Sequence, residues 1–230
     1  MSCGSVVLSI AGRDSTGQAG LDMDVRTIEA LGGIALTLET ADTQQHVSAP
    51  MSVTSAALIE FHSAMASILS NKEVGSVKIG MLATRSMVET VAEGLKDYTG
   101  PVVLDPVLAS SSGLCLLQPD AFIALESLTS RVSVVTPNLE EYAALGGHEW
   151  RERVGVPVLL KGGHGDGEVL IDRLFLLDGS ISAWRHPKRV LENPRGTGCA
   201  LSSAIAFFLA QGQDLEAAIG QGISYLQNTF

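Results

Sequence analysis

Short apolar runs alternate with amphipathic stretches along nearly all of this 230-residue chain. Ser5–Ala11, Ile34–Glu39, Ser76–Ile79, Val102–Asp105, Val132–Thr136, Val156–Lys161 and Val169–Ile171 read as strands. Between them Leu21, Val25, Ile28 and Leu31 share one helical face, and Ala57, Phe61, Ala64 and Ile68 share another. Further helices are predicted over Ser86–Lys96, Pro119–Leu128, Leu139–Leu145, Gly198–Ala210 and Leu215–Gln227. Such alternation predicts an α/β fold with a mostly parallel central sheet and helices on both faces. Two more polar runs, Arg173–Leu177 and Ile181–Trp184, flank Asp178-Gly179 and are predicted to form an antiparallel hairpin. No repeat or linker interrupts the pattern, so residues 1–230 read as a single domain.

In a sheet of this kind ligands gather at the carboxyl ends of the strands. Polar residues and glycines collect at those ends. The first strand runs into Ala11-Gly12-Arg13-Asp14-Ser15-Thr16-Gly17-Gln18-Ala19-Gly20, ahead of a helix carrying Asp22 and Asp24. Later ends carry Thr43-Gln44-Gln45, Gly80-Met81-Leu82, Asp105-Pro106-Val107, Thr136-Pro137-Asn138-Leu139-Glu140-Glu141 and Lys161-Gly162-Gly163-His164. Each also has an ordinary structural reading: Asn138 suits a helix cap with Glu141 at the third helical position, and Lys161-Gly162-Gly163 suits a turn.

The run Gly196-Thr197-Gly198-Cys199 precedes an apolar stretch of small residues ending near Ala210. Glycines at a helix N-terminus leave several backbone N–H groups free to bind phosphate, assisted by the helix dipole. Cys199 falls in the first turn, where that field is expected to lower a thiol's pKa. An anion cradle holding an ionisable side chain points to phosphoryl transfer. The net charge of −10 argues against nucleic acid and anionic membranes as partners, yet is compatible with a phosphate held by local backbone donors. No apolar run has the length of a membrane span, and no basic segment precedes the first apolar stretch as a signal peptide requires. Cys3, Cys115 and Cys199 lack paired spacing, which argues against a disulfide framework or zinc site and fits a reducing cytoplasm.

The ordered set AGRDSTGQAGLDMD, KIGML, VVLDPVL, TPNLEE, LLKGGH and GTGCALSSAIA resembles the hydroxymethylpyrimidine/phosphomethylpyrimidine kinases of thiamine biosynthesis, from about Val6 to Leu226. The resemblance implies a ribokinase-like three-layer sandwich. It implies ATP-dependent phosphorylation of 4-amino-5-hydroxymethyl-2-methylpyrimidine and then of its monophosphate. Carried over to this sequence, it places Gly12, Ala19, Asp24, Thr43, Gln45, Met81 and Val107 around the pyrimidine. It makes Gly196, Thr197, Gly198 and Cys199 the anion hole, with Cys199 where related kinases have an aspartate base. Lys161, Asn138 and Gly163 then face the nucleotide, and Asp105 and Glu141 hold Mg²⁺, mostly through water. A homodimer is implied in the same way.

Three departures from that pattern stand out. Arg195 replaces the usual histidine before the glycines. Arg13 and Gln18 replace smaller residues and are expected to narrow the first loop. The stretch from Asn138 to Lys161 looks short of a helix, so less cover is expected beside the nucleotide half. Two other readings stay open: a pyridoxine/pyridoxal-type kinase, and a non-catalytic pyrimidine-binding paralogue.

Overall fold

The computed structural model describes residues 5–44, 52–70, 73–110, 113–162, 169–188 and 195–230. Among them lie nine strands and eight helices. In chain order these are β1 (Val6–Asp14), α1 (Gly20–Ala30), β2 (Ile34–Gln44), β3 (Ser52–Ser55), α2 (Leu58–Leu69) and β4 (Val74–Ile79). Next come α3 (Arg85–Gly94), β5 (Val102–Leu104), α4 (Ala121–Thr129), β6 (Val134–Val135), α5 (Leu139–Leu145), α6 (Gly147–Val154) and β7 (Val158–Leu160). The chain ends with β8 (Val169–Phe175), β9 (Ile181–Pro187), α7 (Thr197–Ala210) and α8 (Leu215–Thr229).

The strands form one sheet in the order β3-β2-β1-β4-β5-β6-β7-β8-β9. From β2 to β7 neighbouring strands pair parallel, and β3, β8 and β9 add antiparallel edges. The strand order reverses direction at β1 and β4, the point at which a parallel sheet opens a crevice at its carboxyl edge.

Side chains alternate between the two faces, as a strand requires. Val6, Leu8 and Ile10 of β1, Val77 and Ile79 of β4 and Leu104 of β5 pack with α2, α3 and α4. Val7, Val103, Val134 and Leu159 point the other way, against α1, α7 and α8. The β4 positions on this second face are polar: Ser76 donates to the Ala206 carbonyl of α7 at 2.7 Å, and Lys78 lies one step nearer the strand end. The expected three-layer sandwich is therefore present.

Two differences from the sequence reading have simple causes. The strand β3 lacks a long apolar run because it is an edge strand, held by backbone bonds to β2. Helix α6 occupies the stretch expected to be bare. Its overall polarity hides it, since a single tryptophan anchors it: Trp150 is 2% exposed and sits edge-on to Tyr142 at 6.2 Å. The crossover from β6 to β7 thus carries two short helices. Gly146, at φ +112°, ends α5 and starts α6, a conformation glycine adopts without a Cβ penalty.

Truncating that anchor leaves a cavity as well as losing burial. Trp150→Ala is expected to cost about 3–5 kcal/mol of unfolding free energy. Urea titration of the two proteins checks this, and a shift below about 1 kcal/mol would show that α6 does not rest on the core.

Candidate active site

The carboxyl ends of β5, β6 and β7 bring three predicted residues together. Asp105 follows β5 and is fixed by its N–H, which donates to the Ile79 carbonyl at 2.8 Å. Lys161 follows β7, its N–H donating to the Pro137 carbonyl at 2.9 Å. Its Nζ lies 2.8 Å from Asp105 Oδ1 and 4.0 Å from Glu141 Oε2. Thr136 also donates to Asp105 Oδ1, at 3.3 Å. Glu141 is locked by a capping box: Asn138 Oδ1 accepts from the Glu141 N–H, and Glu141 Oε2 accepts from the Asn138 N–H, both at 2.8 Å. Asn138 therefore acts first as a cap, and it delivers a carboxylate to the cluster.

Electrostatics follow from this crowding. Burial pushes the Glu141 carboxyl up to about 7; Lys161 opposes the shift, and Asp105 adds to it. Burial alone would lower the Lys161 ammonium, but Asp105 and Glu141 together raise it. Two carboxylates thus share one ammonium, an arrangement that favours a further cation.

The glycine loop closes over this cluster. Gly196 has φ +78°, and a Cβ there would run into the Gln18 carbonyl oxygen and approach the Met23 methyl to 2.9 Å. The first amides of α7, at Thr197, Gly198 and Cys199, precede the first intrahelical donor, Ala200, whose N–H bonds to the Gly196 carbonyl at 2.8 Å. A Cβ on Gly198 would lie 3.3 Å from Lys161 Nζ and 3.6 Å from Asp105 Oδ2, so the loop passes directly over the ion pair. An anion on those amides would meet Lys161 from below.

Cys199 behaves differently from the sequence expectation. Loss of water around the half-buried thiol pushes its pKa up to about 11. Lys78 and the Gly20 backbone N–H pull it down, while Asp24 and Asp105 push it further up. The helix N-terminus does not win, because desolvation and two carboxylates outweigh it.

The pyrimidine-pocket residues divide. Met81 packs with Ala41 and Ala83, and with the partly buried Val107. Gly12 lies under Met81, where a Cβ would be 2.7 Å from the sulfur. Thr43 is buried and donates to the Arg13 carbonyl at 2.9 Å, and Ala19 is the half-exposed N-cap of α1. Gly12 and Thr43 thus lie near the ends of β1 and β2, Ala19 in the loop after β1, and Met81 and Val107 just past β4 and β5. Asp24 is set apart from them by its partners. Its carboxylate is wholly buried and accepts from Lys78, Ser9 and Ser203, so its lone pairs are already committed. Gln45 and Gly163 lie outside the described residues. Arg13 turns outward to Glu39 at 3.0 Å, where both are largely exposed, and so does not narrow the first loop.

Sequence reading missed Lys78, Ser9, Ser202 and Ser203. The available signal was a pair of serines inside an otherwise apolar helix, one turn beyond the glycines. Lys161 is also steadied from the hairpin side. Asp172 of β8 accepts the Gly162 N–H at 2.7 Å and pairs with His186 of β9 at 3.0 Å.

Comparison with known proteins gives consistent results. The profile of the family described as phosphomethylpyrimidine kinase matches residues 14–230. A hydroxymethylpyrimidine/phosphomethylpyrimidine kinase of Rhizobium meliloti is 38% identical, over 96% of this chain and 89% of its own. A crystal structure of phosphomethylpyrimidine kinase from Clostridium difficile superposes with a TM-score of 0.80 at 29% identity, covering 97% of this chain and 98% of the other. An ADP complex of Bacillus subtilis pyridoxal kinase gives 0.83 at 26% identity, covering 96% and 89%.

Two outcomes follow from the titrating groups. In the ligand-free protein at pH 8, Cys199 is expected to react with iodoacetamide more slowly than the exposed Cys115, read by peptide mass spectrometry; faster labelling of Cys199 would mean a thiolate-stabilising site. The His186 pKa is raised by its hydrogen bond to Asp172. A raised histidine stabilises the fold below its unfolded pKa, and that contribution is lost as pH rises through the folded value. The difference in unfolding free energy between wild type and His186→Gln should therefore shrink from about pH 5.5 to 8.5. A flat difference would remove the pair from the stability balance.

Proposed function

This chain belongs to the phosphomethylpyrimidine kinase family, and on that premise we propose that it transfers the γ-phosphoryl group of ATP to the hydroxymethyl oxygen of 4-amino-5-hydroxymethyl-2-methylpyrimidine, and then to the resulting monophosphate. The observation that carries this reading is the seating of the α7 glycine loop on the Asp105–Lys161 pair. The apolar cluster around Met81 connects to that loop: Gly12 lies against the Met81 side chain, Gly20 packs on the Gly12 carbonyl, and the Gly20 N–H reaches Cys199.

In this reading Met81 and Val107 receive the faces of the ring, with Gly12, Ala19 and Thr43 completing the wall. Gln45, whose amide offers both a donor and an acceptor, selects the aminopyrimidine edge. The amides of Thr197, Gly198 and Cys199 hold the transferring group, and Lys161 supplies positive charge beneath it. Asn138 and Gly163 border the nucleotide. Phosphoryl transfer through a loose transition state depends on positioning and charge more than on a strong base. A thiol protonated in the resting protein is compatible with that chemistry. Cys199 then orients the attacking hydroxyl and takes its proton late in the step.

Asp105 and Glu141 offer hard oxygen donors, and burial, with Asp105 beside it, pushes the Glu141 carboxyl up to about 7, a shift that a neighbouring cation would oppose. Both features fit Mg²⁺, which keeps much of its water and neutralises nucleotide phosphates. Family likeness also supports a cytoplasmic homodimer, which light scattering of the purified protein and fractionation of cells test directly.

The test of the reaction is ADP release with the hydroxymethylpyrimidine and with pyridoxal in parallel, together with mass spectrometry of the products. Pyrimidine mono- and diphosphate are expected. A larger kcat/KM on pyridoxal would reassign the substrate, and no turnover on either would favour a binding paralogue. Cys199→Ala is expected to lower kcat about 10²-fold with ATP binding retained. Asp105→Asn with Glu141→Gln should raise the Mg²⁺ concentration needed for half-maximal rate, and turnover in excess EDTA would sink the metal assignment.

A further inference from the structure

The site as described leaves one charged residue unused. Lys78 is wholly buried on the α7 face of β4, and its Nζ lies 2.9 and 2.7 Å from the two oxygens of Asp24. Desolvation offsets much of the attraction in such a pair, and apolar side chains of similar volume often serve a core as well. Stability alone is a poor reason for this one.

Its geometry offers a better reason. Asp24 Oδ2 also accepts from Ser9 of β1 at 2.6 Å, and Oδ1 accepts from Ser203 of α7 at 2.9 Å. A single carboxylate therefore joins α1, β1, β4 and α7. Ser203 follows Cys199 by four residues, which places the two on the same side of α7, one turn apart. The ammonium reaches as far as Gly80, where an added Cβ would be 2.9 Å from Nζ, so the pair ends at the floor of the site. Ser202 makes a parallel contact on the other flank, 3.5 Å from Asp105 Oδ2, and also bonds back to the Gly198 and Cys199 carbonyls.

We propose that Lys78 and Asp24 are positioning residues for phosphoryl transfer. Through Ser203 the pair pins the first turns of α7 to β1 and β4, and so fixes the direction in which the amides of Thr197, Gly198 and Cys199 point. The inference rests on the anion-hole reading of that loop. Misplacing a catalytic group by 1 Å costs on the order of 10²-fold in rate, so a small pivot of α7 shows in kcat before it shows in binding.

Three variants test it. Ser203→Ala cuts the tie between α7 and the pair but leaves the pair whole. Ser203→Thr keeps the hydroxyl. Lys78→Met combined with Asp24→Asn replaces both charges by neutral groups of similar size. Cooperative thermal melts first establish which variants fold. Folded Ser203→Ala and the folded double variant are expected to lose at least about tenfold in kcat, with KM for ATP and pyrimidine within about threefold, whereas Ser203→Thr recovers most of the rate. A kcat within about twofold of wild type in folded Ser203→Ala overturns the proposal, as does an equal loss in Ser203→Thr. Should the double variant not fold, the serine pair decides alone. Turnover by wild type with loss in Cys199→Ala keeps the kinase reading intact even when Ser203→Ala is fully active. Absence of wild-type turnover overturns the kinase reading and this inference together.

Discussion

The structure depends on how one helix end is seated. Helix α7 carries nothing but small and apolar residues past its glycines, so neither charge nor a capping side chain fixes its start. Two adjacent buried serines do that work. Ser203 reaches the Asp24–Lys78 pair, and Ser202 approaches Asp105, which is itself bound to Lys161. Each serine thereby ties α7 to a carboxylate that a lysine of the sheet or its edge already holds. The first turn of α7 is thereby held in place against the sheet.

This seating explains why Cys199 is not a low-pKa thiol in the ligand-free protein. Burial and the nearby Asp24 and Asp105 carboxylates disfavour a negative charge on the thiol, and they outweigh the pull of Lys78 and of the Gly20 N–H. Glu141 and Asp24 differ in the same terms: burial raises the Glu141 carboxyl with one lysine to oppose it, whereas Asp24 accepts from Lys78, Ser9 and Ser203.

Much of this was legible in the sequence. Parallel strands buried on both faces are continuous apolar runs, and they announced themselves. So did the cluster at the strand ends, because Asp105, Glu141 and Lys161 each follow a recognisable run. The α6 helix was hidden because its contribution to the core is one tryptophan among charged neighbours. The strand β3 was hidden because backbone pairing at a sheet edge leaves no side-chain pattern. The partners of Asp24 were hidden for a different reason. Its position beside the first loop is visible in the sequence, but the lysine that claims it lies on another strand, and such a long-range pair has no local signature. Lys78 lies within a strand that was expected, but the helix covering its face, α7, is far along the chain and gives no local sign of the pair.

The contact between Gly196 and the Gln18 carbonyl has a consequence of its own. Two loops from opposite ends of the chain touch there through bare main chain, and within the first of them Gly20 likewise packs on the Gly12 carbonyl. Side chains absorb displacement by changing rotamer; backbone packed on backbone has no such slack. Any shift of the Gln18 carbonyl must therefore be shared by Gly196, and the first loop and the last are joined along one seam of main chain.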